Sequence, residues 1–455
     1  MKIIIKGNIG QIQTDNPGLL KALYDLFSFS IPGAQYSMAN RRGGWDGKKH
    51  FISNTGKFNA GLLNAILREL GKINCIPEIE KPEPSKPGRL ELVHPNKLTY
   101  YPFQEDLIRE AINRNKGIIK SPTGSGKTLI MGGILLNVPY KVGTILFNSK
   151  QLVSQTYKFL VDSCGIEDVG VCFGDGFIHK PLMLATVQSV HNLPEENLLN
   201  SDLLMVDEVH EFSNGDKTVK VINAFESAKF KFGLTATVPS DPIRKYTLIG
   251  AFGDVIESTS TSSLVNEGHL TKPVIQILSS GERLADGDEY LSYKDIYDKY
   301  IVNSEKRNSC IKIVVDKICG KYTSPKILIL VNSLSHGKIL EGLVPESVFI
   351  EGITSLEDRY GAINKFKVKK NCSVLIGSKI LQTGISIDEI THFINARGLK
   401  SEIATIQALG RSLRKHESKD VVYVYDFKDE QKYLNKHYKE RLSAYKKEGH
   451  EITFI

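Results

Sequence analysis

The 455-residue sequence predicts an α/β protein with two doubly wound parallel sheets, preceded by a small α+β domain. Short apolar segments recur along the chain, and helical stretches separate them. This alternation is typical of parallel sheets that bind ligands at the carboxyl ends of their strands. The predicted strands of the first sheet are 117–120, 143–148, 182–186, 203–207 and 230–235, and those of the second are 326–331, 347–350, 373–377, 391–395 and 420–425.

Length and composition indicate several globular domains. The chain is too long for one ordinary core, and 41% hydrophobic with 24% charged residues is ordinary for a soluble protein. A Pro-rich stretch and a Ser/Thr-rich stretch mark the linkers. We expect a small basic α+β domain at 1–76, a Pro-rich linker at 77–95, a nucleotide-binding domain at 96–255, a hinge at 256–272 and a second α/β domain at 273–455 that ends in a basic helix.

The positive charge of the chain is concentrated in the first domain. Residues 1–76 hold ten Lys and Arg and four acidic side chains, so they carry +6 of the net charge of +8. A basic domain beside a near-neutral one indicates a polyanionic partner such as nucleic acid, although a solvated surface rich in lysine is an alternative. A basic, Gly-rich loop holds the only Trp, which either stacks on a base or anchors a small core. The candidate DNA-binding residues of this loop are Arg41, Arg42, Trp45, Lys48 and Lys49.

The cysteines and the apolar segments bear on the cellular compartment. The six cysteines are scattered without a Cys-x-x-Cys pair, which suggests neither a zinc site nor a disulfide framework. The apolar run at the start is too short for a signal peptide, and no apolar run is long enough to span a bilayer. We therefore expect a cytoplasmic protein.

The strongest local signal is a Gly-rich segment between a predicted strand and a predicted helix. In that context, backbone N–H groups and the helix N-terminus can hold a polyphosphate. Lys127 is expected to reach the β- and γ-phosphates of ATP, and the Thr128 hydroxyl is expected to ligate Mg²⁺. An ordinary Gly-rich turn is the alternative. The predicted phosphate-binding loop consists of Ser121, Pro122, Thr123, Gly124, Ser125, Gly126, Lys127 and Thr128.

Two carboxylates follow the predicted strand 203–207. A carboxylate at a strand end opposite the phosphate loop can provide a second contact to Mg²⁺, and Asp207 is the candidate. Glu208 is the candidate general base that orients and deprotonates the attacking water. A surface Asp-Glu pair is the alternative, which the phosphate loop makes less favourable.

Arg411 and Arg414 are three residues apart and would lie on one helical face. Arginines placed across a cleft from the γ-phosphate stabilise the charge that develops in the transition state. Because both lie in the second domain, hydrolysis would require the two domains to close, which couples ATP to motion along a strand. A salt-bridged surface helix is the alternative.

The phosphate loop, the two carboxylates and the two arginines follow one another in the order of the motifs of superfamily 2 helicases, and the resemblance to these helicases covers about residues 96–427. The resemblance implies RecA-like domains, an adenine-reading role for Gln104, ATP contact by Gly384, and a catalytic place for Gln407 beside the arginines. It implies that Thr235 and Thr237 couple the ATP state to the grip on DNA, with His210 facing them. It assigns strand contacts to Ser149, Gln151, Thr186, Gln188, Asn332, Ser333, Ser378 and Lys379.

Thr-Ala-Thr at 235–237 and Gln-Ala-Leu-Gly-Arg at 407–411 are closer to DNA translocases of the RecG, XPB and UvsW kind than to DEAD-box RNA helicases. The loop at 45–47 and the segment at 61–63 resemble the first domain of UvsW-type phage helicases. The resemblance implies remodelling of branched DNA: fork regression, Holliday-junction branch migration, and unwinding of D-loops or R-loops. Contacts to the DNA would go to its backbone without sequence specificity, and the protein would be monomeric or transiently associated. An RNA helicase and a translocating motor subunit that unwinds nothing are the alternatives.

Overall fold

A computed structural model of the chain describes residues 1–81, 91–174, 176–214, 221–222, 224–351, 354, 356–378, 387–400, 410, 412–416 and 419–455. The chain divides into two compact units. One contains Met1–Ser121 and Gly126–Ser258, and the other contains Pro122–Ser125 and Thr259–Ile455. The division into five segments by residue number stays a prediction.

The first unit contains a small sheet, a two-stranded ribbon and a large sheet. Its strands are β1 Lys2–Lys6, β2 Ile9–Gln13, β3 Ser28–Ser30, β4 Lys48–His50, β5 Lys57–Asn59, β6 Glu78–Glu80, β7 Lys116–Lys120, β8 Gly143–Phe147, β9 Val169–Phe173, β10 Gly176–Ile178, β11 Leu182–Thr186, β12 Leu203–Val206, β13 Phe230–Thr235 and β14 Val255–Ile256. Its helices are α1 Pro17–Leu26, α2 Met38–Arg41, α3 Leu63–Lys72, α4 Pro102–Arg114, α5 Lys127–Asn137, α6 Lys150–Asp162, α7 Glu195–Leu199 and α8 Pro242–Phe252.

The small sheet has the strand order β5-β2-β1-β6. Asn16 begins α1 by accepting a hydrogen bond from the Leu19 amide, as the Asn-Pro pair predicts. The structure differs from the sequence interpretation at two points. The first residues of the expected linker form β6, which pairs parallel to β1 and is held there by Lys2 through ion pairs to Glu78 and Glu80. Helix α3 also continues through Gly71, although a glycine near the end of an apolar helical pattern predicts that the helix stops there.

The large sheet of the first unit has the order β10-β9-β11-β8-β12-β13-β7-β14. Its described pairs are parallel except for the antiparallel pair of β9 and β10. Strand β7, followed by the phosphate loop and α5, lies beside β13, and β13 lies beside β12. The carboxyl ends of these three strands therefore meet at one edge, where doubly wound sheets bind ligands.

The small sheet and the large sheet share one hydrophobic core. A single cluster of buried side chains extends from the strands and helices of residues 1–72 to β8, β12 and α8. A small basic domain on a linker would instead have a core of its own. Members from the small domain include Ile3, Phe27 and Leu62, and members from the rest of the unit include Leu146, Val206 and Ile249.

The second unit contains a seven-stranded sheet with the order β17-β18-β16-β19-β20-β15-β21, in which the described pairs are parallel. The two parallel sheets confirm the predicted fold class. Strands of the second unit are β15 Lys272–Leu278, β16 Lys326–Leu330, β17 Ser347–Ile350, β18 Ser373–Gly377, β19 His392–Asn395, β20 Val421–Phe427 and β21 Glu451–Phe454. Its helices are α9 Thr261–Asn266, α10 Tyr293–Tyr297, α11 Glu305–Lys321, α12 Leu334–Leu343, α13 Leu356–Val368 and α14 Lys432–Lys447.

Two further observations concern cysteines and apolar helices. Cys319 and Cys372, 53 residues apart in sequence, form a disulfide, which the scattered cysteines did not suggest. Among the helices that the structure describes, none is both long enough and apolar enough to cross a membrane.

A buried charge network joins the C-terminal helix α14 to strand β20. Arg441 is 1% exposed and donates from Nε to both carboxylate oxygens of Asp426, at 3.2 and 3.0 Å. It also donates to Asp429 at 3.2 Å and to the carbonyl oxygens of Phe427 and Leu399 at 2.9 and 3.0 Å. Because the charges are paired and hydrogen-bonded, the network tolerates burial, but losing one partner would leave the others uncompensated.

We expect Arg441→Ala to lower the free energy of unfolding by about 3–5 kcal/mol, because it leaves the buried Asp426 carboxylate without its ion-pair partner, whereas Asp429 keeps its ion pair with Arg307. Equilibrium urea denaturation followed by circular dichroism measures the change. Lys436→Ala, an exposed position on the same helix, is the control and should change it by less than about 0.5 kcal/mol. Similar losses in both variants would contradict the role of the network.

Candidate active site

The predicted phosphate loop links β7 to α5. Gly124 and Gly126 adopt positive φ angles of 88° and 82°, which glycine accepts without strain. The loop begins where the Ser121 amide donates to the carbonyl of Thr235 on β13, at 3.0 Å. Ser125 closes a turn by donating from Oγ to the Pro122 carbonyl, at 2.6 Å. The loop thus ends at the N-terminus of α5, where backbone N–H groups favour an anion.

Gln104 lies beside the end of this loop. It is 1% exposed, and its Oε1 accepts a hydrogen bond from the Tyr101 amide at 2.9 Å at the start of α4. A Cβ atom placed on Gly126 would lie 2.6 Å from the Gln104 Nε2 atom. Any other residue at Gly126 would displace the Gln104 side chain, so the loop glycine and the glutamine are sterically coupled.

The two predicted carboxylates follow β12 directly. The Asp207 amide donates to the Leu146 carbonyl at 3.0 Å, and the Asp207 Oδ1 accepts from the Glu208 amide at 3.0 Å. Glu208 has a φ of 46°, an uncommon conformation for a residue with a side chain. Its carboxylate lies 3.6 Å from the Lys127 Nζ atom. The strand end therefore places Glu208 against the lysine of the phosphate loop.

A chain of polar contacts extends from Glu208 to β13. The His210 Nδ1 atom lies 3.4 Å from Glu208 Oε2 and 2.9 Å from the Thr235 hydroxyl. The Thr235 hydroxyl donates to the Thr237 carbonyl at 2.9 Å and accepts from the Thr237 amide at 3.1 Å. Burial lowers the pKa of His210, and Glu208 opposes this shift, so the imidazole is neutral near pH 7. Because the threonine proton goes to Thr237, His210 donates from Nδ1 to Thr235.

Two further contacts surround these polar groups, and the sequence interpretation missed Arg244 in the first of them. Arg244, near the start of α8, donates from Nη2 to the His210 carbonyl at 3.1 Å. Asn148, at the carboxyl end of β8, donates from Nδ2 to the Glu211 carboxylate at 2.6 Å. No spacing rule joins Arg244 to position 210, because the contact depends on how α8 packs against the sheet.

The predicted strand-contacting residues of the first unit occupy the carboxyl ends of β8 and β11. Ser149 begins α6 by accepting from the Leu152 amide at 3.3 Å, and Gln151 is half-buried in that helix. Thr186 is buried with its hydroxyl 2.9 Å from Ser189, whereas Gln188 is exposed. Gln188 is therefore the most accessible of these candidates.

In the second unit, the structure describes some of the predicted residues. Asn332 and Ser333 are half-buried after β16, and Ser333 precedes α12. Ser378 is buried after β18. Arg414 lies 3.5 Å from Asp388 in an ion pair. Lys379, Gly384, Gln407 and Arg411 lie outside the described residues.

The basic loop of the small domain has its own hydrogen bonds. Trp45 is half-buried and donates from Nε1 to the Lys48 carbonyl at 3.0 Å, so its ring is fixed to the loop and is absent from the buried core. Arg41, Arg42 and Lys48 are exposed. Lys49 is half-buried and donates to the Thr247 hydroxyl of α8 at 3.2 Å.

Two family models match the chain, one over each of the two large sheets. The model described as "Type III restriction enzyme, res subunit" matches residues 97–240, and "Helicase conserved C-terminal domain" matches residues 305–416. The ATP-dependent DNA helicase uvsW of Enterobacteria phage T4 is 26% identical over 440 residues, which are 90% of this chain and 86% of that one. The DNA 3'-5' translocase XPB2 of Sulfurisphaera tokodaii is 22% identical over 71% of this chain and 80% of its own.

Solved structures share the fold. S. cerevisiae Dbp5 bound to RNA and ADP BeF3 has a TM-score of 0.55 at 16% identity, covering 78% of this chain and 90% of its own. The two family models and the match to uvsW, with the loop geometry, define the class: the chain is identified as a superfamily 2 helicase, an ATP-hydrolysing enzyme. Within that class, its sequence is similar to uvsW along most of both chains.

Proposed function

We propose that this protein is an ATP-dependent DNA helicase that remodels branched DNA. The observation that carries the proposal is the site at the carboxyl edge of the first large sheet, where Lys127 of the phosphate loop lies 3.6 Å from Glu208. Two further observations support DNA as the substrate: the similarity to uvsW over 90% of the chain, and the +6 charge of residues 1–76. As a DNA-remodelling enzyme of phage type, it would act in the host cytoplasm.

The phosphate loop and Gln104 fit ATP. The tight turn at Gly126 leaves no room for a Cβ atom, and the buried Thr123 hydroxyl has no hydrogen-bond partner among the described residues. Both features suit a ligand with many acceptor oxygens. In the proposed complex, Gln104 binds the adenine, the loop amides bind the phosphates, and Lys127 contacts the β- and γ-phosphates.

Thr128 and Asp207 would hold Mg²⁺, since a hydroxyl and a carboxylate are the hard oxygen donors that this ion prefers. When bound, Mg²⁺ neutralises charge on the phosphates. Glu208 takes the proton of the attacking water, and His210, which donates to Thr235, lies beside the Glu208 carboxylate. The Thr235–Thr237 hydrogen bonds then connect the position of Glu208 to β13.

Arg411, Arg414 and Gln407 complete the mechanism from the second unit. Arg411 would stabilise the charge on the γ-phosphate in the transition state, and hydrolysis would then depend on the motion of the two domains. Strand contacts come from the residues after β8, β11, β16 and β18, so each unit holds one part of the strand. ATP binding and product release strengthen and weaken the strand contacts of the two units in turn, which moves the protein along DNA.

A fork assay tests the proposal. We expect the full-length protein with ATP to convert a model replication fork with homologous arms into regressed duplex products, and Glu208→Gln to give none. A linear DNA with a bound third strand and an RNA duplex are the comparison substrates. Displacement of the third strand without fork regression would favour a motor that does not unwind, and unwinding of RNA alone would favour an RNA helicase.

The basic loop should contribute phosphate contacts to DNA binding. We expect Arg42→Ala and Lys48→Ala each to weaken fork binding and to reduce the slope of log K against log salt by about 0.9, since each phosphate contact releases counterions. Fluorescence anisotropy at several salt concentrations measures both effects. Lys439→Ala removes the same charge from an exposed position of α14 and is the control. An unchanged slope in the loop variants would contradict DNA contact there.

A further inference from the structure

Helix α8 contacts the segment that carries Glu208 and His210. Asp241 caps the helix by accepting from the Arg244 amide at 2.8 Å, which fixes the first turn. From this turn the Arg244 guanidinium donates to the His210 carbonyl at 3.1 Å. The position of the first turn of α8 therefore constrains the backbone beside the proposed general base.

Two residues further along the helix, Tyr246 packs against the small domain. The Tyr246 ring lies 5.4 Å from Phe27, 5.3 Å from Phe29 and 5.8 Å from Phe51, measured between ring centroids. The pair with Phe29 is stacked and the pair with Phe27 is edge-on, which are favourable aromatic geometries. A displacement of these phenylalanines cannot leave Tyr246 in place.

The basic loop reaches the same helix. Lys49 donates from Nζ to the Thr247 hydroxyl at 3.2 Å, and the same Nζ lies 5.6 Å from the centre of the Phe51 ring. A DNA phosphate that binds Lys49 competes with the neutral hydroxyl of Thr247, and the charge-assisted contact is the stronger one. Binding of a polyanion at this loop would thus change a direct contact to α8.

The far end of α8 is also fixed to the small domain. A Cβ atom on Gly61 would lie 2.1 Å from the Ile249 carbonyl oxygen, so the two backbones are in direct contact. Just beyond the helix, Asp254 accepts two hydrogen bonds from the Arg68 guanidinium, each at 3.2 Å. With these contacts, the helix is attached to the small domain from Tyr246 to its C-terminal end.

We propose that α8 couples the small basic domain to the ATPase site, with Tyr246 and Arg244 as positioning residues. DNA at the basic loop shifts the domain, Tyr246 transmits the shift to α8, and Arg244 transmits it to the backbone that holds His210 and Glu208. This coupling rests on the proposed function for its DNA step. The contacts through α8 do not depend on which nucleic acid binds.

Tyr246→Leu in the full-length protein breaks the aromatic contacts, and Tyr246→Phe keeps them. We expect Tyr246→Leu to lower the stimulation of kcat by fork DNA about tenfold, which is within the usual range of coupling between two sites. The KM for ATP and the rate of hydrolysis without DNA should stay within about twofold of the wild type. Phe should behave as the wild type. An equal loss of the basal and the stimulated rates in the Leu variant would indicate a structural role and overturn the proposal.

A double-substitution cycle tests the route. If the signal passes through Arg244, Tyr246→Leu should cause no further loss of stimulation in an Arg244→Gln background, whereas additive losses would overturn the route. The second measurement is amide hydrogen exchange in the absence of DNA. We expect faster exchange of the amides of residues 207–212 in Tyr246→Leu, and unchanged exchange would refute the connection between α8 and the ATPase site. If DNA does not stimulate the wild type, the proposed function fails, and the exchange result still decides whether α8 connects the domain to the site.

Discussion

We expect Glu208→Gln to lower the kcat of ATP hydrolysis by about 10²–10⁴-fold, the usual contribution of a positioned general base. Glutamine keeps the size of the side chain but cannot accept the proton of the attacking water. Because the phosphate loop is unchanged, the affinity for ATP should stay close to that of the wild type. Steady-state phosphate release and equilibrium binding of a fluorescent ATP analogue measure the two quantities.

Glu211→Gln is the matched control, because it removes a neighbouring carboxylate that contacts Asn148 rather than Lys127. Its kcat should remain within a few-fold of the wild type. Lys127→Ala provides the opposite contrast, since it removes the cation of the phosphate loop and should lose both binding and turnover. Robust hydrolysis in Glu208→Gln would place the general base elsewhere.

Arg411→Ala should lower kcat by about 10³–10⁵-fold while the protein still binds ATP, because a transition-state arginine contacts the phosphate most strongly as charge develops on it. Single-turnover hydrolysis at saturating ATP is the appropriate measurement, since it separates chemistry from binding. Loss of ATP affinity with normal turnover at saturation would contradict this role.

Lys415 provides the control for Arg411, and Arg414 provides a comparison. Lys415→Ala removes an exposed positive charge from the same segment and should have little effect. Arg414→Ala also removes the ion pair with Asp388, so its effect combines catalysis with local structure. A catalytic role for Arg411 therefore requires a loss much larger than that of Lys415→Ala.

The elements predicted best from sequence have strong local signals. The apolar run at 182–186 and the Asn16-Pro17 helix start appear as predicted, because each depends on residues close in sequence. Strands β15 and β21 were not predicted. Strand β15 begins in the expected hinge and has a proline at its second position. Strand β21 forms because the chain returns after α14 and pairs with β15. Pairing between distant segments leaves little trace in local composition.

Contacts between distant segments also explain two features of the packing that the sequence did not indicate. In the C-terminal helix, Leu434, Tyr438 and Tyr445 are buried, as their helical spacing predicts. Arg441 is buried as well, since Asp426 of β20 neutralises it. The basic composition of residues 1–76 suggested an attached domain, whereas its core is continuous with that of the large sheet. Deleting the domain would expose that core, so point substitutions are the better test of its function.

The most direct test of ATP-driven remodelling of branched DNA is steady-state ATPase activity with four stimulants: single-stranded DNA, blunt duplex DNA, a model fork and structured RNA. Glu208→Gln is the blank. The proposed function predicts the strongest stimulation by the fork, with Tyr246→Leu losing most of that stimulation. Strongest stimulation by RNA would contradict it and would make the basic loop an RNA-binding element.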